Sequence, residues 1–299
     1  MTPLRPTRAS TAGRAYLDLQ NLARRTGRAT AELHQYYLLE CFLDRLTRSP
    51  YSERFVLKGG VLLAAYETRR PTRDVDLRGH HIEADLTAIL QVITEIAAIE
   101  IDDGVAFDTG TARAEAIRDQ DQYQGVRVIV AATLATARLV FHVDVNIGDP
   151  MVPGPQTVGL PRMLGGTLTI AGYPLVMIHA EKIVTSVERG QANTRWRDFA
   201  DILLLSRRHD TDGTQLQTAI RAVTTYRHIQ ITPLEELLDG YPAQAQRKWI
   251  TWITKQQLSG QLPDDFADVI YAVIAFADPA LTHQVTGLTW RAAVSSWQP

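Results

Sequence analysis

Two aspartates separated by one residue, Asp74 and Asp76 in the segment Thr72-Arg73-Asp74-Val75-Asp76-Leu77, carry the clearest chemical signal in this 299-residue chain. In an extended strand side chains alternate between faces, so this spacing puts both carboxylates on one face and Val75 and Leu77 on the other. Two like charges on one face repel unless a proton, an Arg or Lys, or a hard cation lies between them; the cation expected is Mg2+, with Mn2+ as its substitute. Arg69, Arg70, Arg73 and Arg78 lie close by in sequence, so a plain ion-pair network is the competing reading of the same residues.

Immediately upstream, Phe55 to Leu57 reads as a short strand and Val61 to Tyr66 as the start of a helix, with Lys58-Gly59-Gly60 at the junction. Two glycines permit a tight turn whose backbone N–H groups face outward near a helix start, an arrangement that suits phosphate. Neither the GxxxxGK[ST] nor the GxGxxG spacing is present, so the turn alone is a weak signal. Beside a pair of carboxylates it predicts a nucleoside triphosphate and its metal at one sheet edge, with Lys58, Gly59 and Gly60 on the phosphates.

A third acid follows later. Phe141, Val143 and Val145 alternate with His142, Asp144 and Asn146, so Asp144 belongs to the polar face of its strand. A polymerase-like palm uses two carboxylates for the metals that bridge a triphosphate and a third to complete the metal acting on the attacking hydroxyl. Asp144 is the candidate for that third metal ligand, ranked below Asp74 and Asp76. A solvent-facing Asp on an edge strand fits the same pattern.

The KGG turn, the TRDVDL segment, Glu181-Lys182 and Trp196-Arg197-Asp198-Phe199-Ala200-Asp201 together resemble the AbiEii/AbiGii toxin family of nucleotidyltransferases, and more narrowly its mycobacterial MenT-like members, over roughly Phe55 to Leu205. The resemblance implies the toxin of a toxin–antitoxin pair with a cognate antitoxin protein, moving a nucleoside monophosphate from an NTP to the acceptor end of tRNA and so blocking aminoacylation. It implies CTP or UTP as donor, with CMP transfer favoured. It also assigns Lys182 to the triphosphate and catalysis, and Asp198 to a late acidic position near the active site. Arg197 stands where family members frequently have lysine; phosphate contact survives that change, but an arginine does not serve as a proton donor.

Two other readings use the same residues. A kinase-like transfer of γ-phosphate to a protein Ser or Thr needs a phosphate-binding turn, a Lys and two metal-binding acids, and Thr72 beside the aspartates is a candidate modification site. The HRD and DFG signatures are absent, which counts against it. A non-enzymatic helical module that binds a partner, its acids neutralised by the local arginines, is the other.

Composition bounds the elements that must position these groups. At 45% hydrophobic residues the chain can bury a large core, and its formal net charge of −2 gives no global attraction to nucleic acid. RNA contact must therefore come from local cations: the run Arg5 to Arg28, then Arg69, Arg70, Arg73 and Arg78, then Arg195 and Arg197. Cys41, the single cysteine, excludes an intrachain disulfide and a multi-cysteine zinc site and reads as a buried thiol. With no signal peptide and no membrane-length apolar stretch, the expected compartment is the cytoplasm, with no membrane partner.

The predicted fold is α+β (α/β mixed), a nucleotidyltransferase palm of mixed β-sheet flanked by helices plus a C-terminal helical domain. The predicted divisions are an N-terminal helical arm at 1–50, the palm at 51–172 and a helical domain at 173–299 that completes the active-site cleft. Helices are expected from Ala15, over Thr30 to Thr47 with Thr30 as N-cap, and over Ile82 to Ala98. Strands are expected over Ile101 to Phe107, Ala112 to Ile117, Gly125 to Ala132 and Ala135 to Asn146, followed by a loop over Asp149 to Gly166 and a short strand over Leu168 to Ile170. Beyond Pro174 the pattern is helical in outline: Leu175 to Arg189, Thr194 to Arg208, Thr214 to Tyr226, Ala243 to Gln257, and a last helix to Ala277. Trp249 is read as core rather than as a base-stacking platform.

Overall fold

Ser10 opens the first helix, α1 (Thr11–Thr26), by accepting a hydrogen bond from the Gly13 N–H, and Gly27 closes it in the left-handed conformation at φ 68°. The start therefore lies upstream of the one expected at Ala15. In α2 (Thr30–Arg48) the cap position is Ala29 and Thr30 is already helical, so Thr30 is not the N-cap. Leu33, Leu38, Leu39, Cys41, Phe42, Leu43 and Leu46 of α2 are all buried. The acids on this helix are held by arginines: Glu40 by Arg69, and Asp44 by Arg48 and Arg162.

The chain continues through β1 (Phe55–Lys58), α3 (Gly59–Leu62), β2 (Asp74–Gly79), α4 (Leu86–Ala97), β3 (Val105–Arg118), β4 (Gln124–Leu134), β5 (Ala137–Ile147), β6 (Gln156–Pro161) and β7 (Thr167–Gly172). The strands form one seven-stranded sheet in the order β3-β4-β5-β2-β1-β7-β6. β2 pairs with β5 and β1 with β7 in parallel, and the other pairs are antiparallel, so the sheet is mixed as the sequence predicts. Phe42 of α2 packs on Phe107 of β3 and Phe141 of β5, which identifies the face that α2 covers. Val75, Leu77, Val143 and Val145 are buried on that same face. By strand alternation Asp74, Asp76 and Asp144 lie on the opposite face.

The structure is a computed structural model that describes residues 5–69, 71–83, 85–118 and 124–299. Its backbone contacts divide it into two units, Met1–Gly148 with Gln156–Gly172, and Asp149–Pro155 with Tyr173–Pro299. Helices α1 and α2 belong to the first unit together with the sheet. Arg70 and the polar run Asp119 to Gln122 lie outside the described residues.

Several expected elements differ. The strands expected over 101–107 and 112–117 fall on one strand, β3, which begins at Val105, and the residues between them form an irregularity in its ladder between Asp108 and Arg113. A bulge lets one strand absorb unpaired residues without leaving its partner. The loop expected over Asp149 to Gly166 contains β6, whose Val158 and Leu160 are buried. Its terminal Pro161 is tolerated because β6 is an edge strand. The helix expected over 61–66 is a single α-turn, α3, followed by 3-10 turns at Leu63–Tyr66. The helix expected from Ile82 starts at Leu86, capped by the Asp85 side chain.

The second unit contains α5 (Leu175–Arg189), α6 (Trp196–Ser206), β8 (Thr211–Asp212), α7 (Gly213–Arg227), α8 (Leu234–Leu237), α9 (Tyr241–Lys255), α10 (Phe266–Leu281), β9 (Thr289–Arg291) and β10 (Ser296–Gln298). Its outline is not purely helical, because β8, β9 and β10 make a small antiparallel sheet. Two- and three-residue strands leave too little periodicity to read from sequence. Trp249 is fully buried, stacks on Phe266 and donates its indole N–H to the Pro263 carbonyl, so it is core. No described helix is long and apolar enough to cross a membrane.

Candidate active site

In the first unit the strand register collects the acids. Asp76 lies opposite Asp144 and Asp74 opposite His142 across the parallel β2–β5 pair, while Lys58 lies opposite Asp76 across β1–β2. The burial of β2 alternates as expected, with Asp74, Asp76 and Arg78 half-buried and Val75, Leu77 and Gly79 buried. Both aspartates therefore share the face predicted from their spacing.

The glycine turn is packed directly on one of them. Gly59 has φ +70°, and a Cβ placed on it would sit 1.9 Å from Asp76 Oδ2 and 2.4 Å from its carboxyl carbon. Only a residue without a side chain lets the Lys58-Gly59-Gly60 backbone come this close to the carboxylate. Because α3 is one turn long, the helix-dipole contribution expected at this turn is small. What remains is the backbone itself, held against Asp76.

Two residues beyond those singled out in the sequence complete this face. Arg127 of β4 clamps Asp144 bidentately, Nε to Oδ1 at 2.8 Å and Nη2 to Oδ2 at 2.7 Å. His142 Nδ1 lies 3.0 Å from Asp74 Oδ1. The Asp144 hydrogen bonds hold the Arg127 guanidinium well above its ordinary pKa despite partial burial, and the charges of Asp74 and Glu115 act in the same direction. Arg127 thus relieves the repulsion that Asp144 and Asp76 would otherwise impose on each other.

A divalent cation fits Asp74 and Asp76. They offer hard oxygen donors on one face, and Mg2+ is typically held by one or two carboxylates with substrate phosphates and water filling the remaining positions. Among the described residues no group of three or more His, Cys, Asp or Glu is arranged to hold a metal. Asp144, the candidate third ligand, has both oxygens engaged by Arg127.

The remaining cations predicted near RNA are dispersed in role. Arg69 is turned onto Glu40 and stacks over Tyr36 rather than joining the aspartates. Arg73 is exposed just before β2, and Arg78 is the third residue on the acidic face. Thr72 is half-buried, its hydroxyl 3.4 Å from the Asp74 carbonyl.

The second unit holds its own cluster. Lys182 of α5 donates to Asp198 Oδ1 at 3.1 Å and to Asp201 Oδ2 at 2.6 Å, both on α6, and Arg195 lies 3.3 Å from Asp198 Oδ2. Burial by itself raises the Asp198 pKa, but the Lys182, Arg195 and Arg197 cations outweigh it and hold the carboxyl below its ordinary range. Arg197 is exposed. An ammonium has three donors, and Asp198 and Asp201 take two, which leaves one for an incoming oxygen. Asp201 is fully buried, and Lys182 is one of the groups that compensate its carboxylate. Asp201→Asn is expected to lower stability by about 1.5 kcal/mol, the lower end for a hydrogen bond to a charged group, because Asp198 still accepts from Lys182. Urea unfolding with an unchanged m-value checks this.

Residues 41–272 match the family AbiEii, nucleotidyl transferase AbiEii toxin, type IV toxin–antitoxin system, and the chain belongs to that family. The protein is accordingly a nucleotidyltransferase, with a toxin's place in a toxin–antitoxin pair, and the non-enzymatic module considered from sequence is set aside. No curated protein sequence matches the chain significantly. Two crystal structures from Helicobacter pylori resemble it. JHP933 is 14% identical with a TM-score of 0.49, the match covering 86% of this chain and 95% of that one. A protein provisionally described as a nucleotidyltransferase is 14% identical with a TM-score of 0.48, covering 86% of this chain and 97% of the other.

Proposed function

We propose that this enzyme transfers a nucleoside monophosphate, with CMP favoured over UMP, from an NTP to the 3′ acceptor end of tRNA in an Mg2+-dependent reaction that blocks aminoacylation. The observation that supports the chemical half of this reading is Gly59 packed on Asp76, a close approach that suits phosphate at the turn beside a metal at the acid. The tRNA target and the pyrimidine preference are supported by the resemblance of the KGG, TRDVDL and Trp196 to Asp201 segments to the tRNA-modifying members of the family.

In this reading Asp74 and Asp76 hold the divalent cation, which when bound supplies charge neutralisation of the triphosphate and lowers the pKa of the attacking hydroxyl. The backbone of Gly59 and Gly60 orients the β- and γ-phosphates, and Lys58, in register with Asp76, adds a compact positive charge. Lys182 directs its remaining N–H to a phosphate oxygen and stabilises the charge that builds on leaving pyrophosphate. Asp198 and Asp201 fix the ammonium in place. Asp74 is oriented by His142, which occupies one of its oxygens. Residues 51–172 then serve as the palm, and Lys182 belongs to the helical domain at residues 173–299.

Labelling decides between this and a kinase-like reaction. With Mg2+, α-labelled CTP is expected to label deacylated tRNA more strongly than α-labelled UTP does. Periodate-oxidised tRNA is expected to stay unlabelled, because its terminal diol is destroyed. Label that enters only protein, or only from the γ position of ATP or GTP, sinks the proposal.

A further inference from the structure

A row of charged residues crosses five neighbouring strands in register: Glu115 on β3, Arg127 on β4, Asp144 on β5, Asp76 on β2 and Lys58 on β1. Its only like-charged neighbours are Asp144 and Asp76. Lys58 flanks that acidic pair on one side and Arg127 on the other. Across the acidic pair from the glycine turn, the row therefore carries a second cation, the Arg127 guanidinium bonded to Asp144.

Arg127 has the means to bind more than its partner. A guanidinium has five N–H donors and Asp144 takes two of them, which leaves three. Among the described residues none of those three has a protein acceptor, although the side chain is 31% exposed and not fully solvated. The planar fork is fixed by two bonds to a carboxylate that is itself only 11% exposed, so its direction is set before any ligand arrives. Pre-oriented donors beside a metal-binding pair suit an oxyanion more than a neutral group.

We propose that Arg127 is a phosphate-binding residue of this face, held in place by Asp144, and that it takes an anionic oxygen of a substrate phosphate beside the Asp74–Asp76 pair. This rests on reading that face as the nucleotide site. Asp144 then acts as a positioning residue for Arg127, in place of the metal ligand its strand position suggested. Two substrates supply the same chemistry, the triphosphate of an NTP and the backbone of a nucleic acid. With a cation neutralising Asp74 and Asp76, and Asp144 paired with Arg127, Glu115 is the acid of the row that still opposes an anion beside Arg127.

Binding tests this without requiring transfer. Tripolyphosphate with Mg2+, followed by calorimetry, and a 5′-hydroxyl RNA hexamer, followed by fluorescence anisotropy over a range of salt, are the two probes. Arg127→Gln is expected to weaken at least one of them by about 10-fold or more, the loss of a charge-assisted contact. Arg127→Lys should fall between, because charge is retained and the fork is lost. Arg127→Gln leaves Asp144 without its partner, so the double variant Arg127→Gln/Asp144→Asn, which removes both charges together, guards against a folding defect and should show the same loss. A loss confined to tripolyphosphate assigns Arg127 to the triphosphate. A loss confined to RNA, with the salt slope reduced by about 0.7, assigns it to a backbone phosphate. Losses in both support a shared phosphate position. Wild-type affinity of the double variant for both probes, or a wild-type protein that binds neither, overturns the proposal. Transfer of α-label is scored separately, so a protein that binds phosphate through Arg127 but labels no tRNA defeats only the reaction proposed above.

Discussion

Asp76→Ala is expected to reduce nucleotide transfer by at least ~100-fold while leaving the fold intact, and Asp74→Ala to do nearly the same. Removing a metal ligand forfeits several kcal/mol of transition-state stabilisation, and each ~1.4 kcal/mol is a factor of ten in rate. The fold should tolerate either change because both side chains are half-buried on the polar face and support no core packing. Their neighbours Val75 and Leu77 do that work from the opposite face, and both are fully buried. Asp74→Ala also releases His142 Nδ1, but that ring is 31% exposed and can find water. Circular dichroism and a thermal melt establish folding, and α-label transfer establishes the loss. Inducing the wild type in a bacterial host should arrest growth, and Asp76→Ala should not. Mg2+-dependent transfer retained by both purified variants would exclude the aspartate pair as the metal site.

How much of this was readable in advance depended on whether a feature was local. The shared face of Asp74 and Asp76 follows from strand alternation within six residues, and the structure has it. Helix α5 was legible over Leu175 to Arg189 because a fifteen-residue periodic segment bounded by Pro174 and Gly190 carries its own punctuation. Arg127 was not legible as a site residue. Its setting between buried Val126 and Val128 places it on a polar face, but nothing in Gly125 to Val130 says which strand lies opposite or in what register. The same holds for Asp201: the i,i+3 relation to Asp198 is local, whereas their common partner Lys182 is sixteen residues or more away on another helix. β6 escaped because Gly159 and Pro161 look like loop residues, and only its pairing with β7 makes Val158 and Leu160 a buried stripe. Local chemistry could be read; long-range pairing had to be seen.

Gly59→Ala is expected to match Asp76→Ala in its effect on transfer, although it changes no charged group. An alanine at φ +70° carries a backbone penalty of roughly 1–2 kcal/mol. That alone would destabilise the turn without explaining a loss of chemistry. The larger effect is steric. The new Cβ would meet Asp76 at its Oδ2, its carboxyl carbon and its Cβ, at 1.9, 2.4 and 2.6 Å. Rotating the end of the Asp76 side chain clears the oxygen but not its own Cβ, which is fixed to β2, so strand and turn must separate. Lys58 is paired with Asp76 in the ladder, so the same movement displaces a cation from the site. Transfer should fall by at least ~100-fold, because a misplaced metal ligand costs about as much as a missing one. A double-mutant cycle distinguishes this from ordinary destabilisation. If Gly59→Ala acts by displacing the Asp76 carboxylate, adding it to Asp76→Ala should cost less than the product of the two single losses, since the carboxylate is already gone and what persists is the Cβ clash at 2.6 Å with the movement of Lys58. Independent effects would multiply instead. A Gly59→Ala enzyme that transfers at the wild-type rate, or losses that multiply fully in the double variant, would show that the close approach of Gly59 and Asp76 has no part in catalysis.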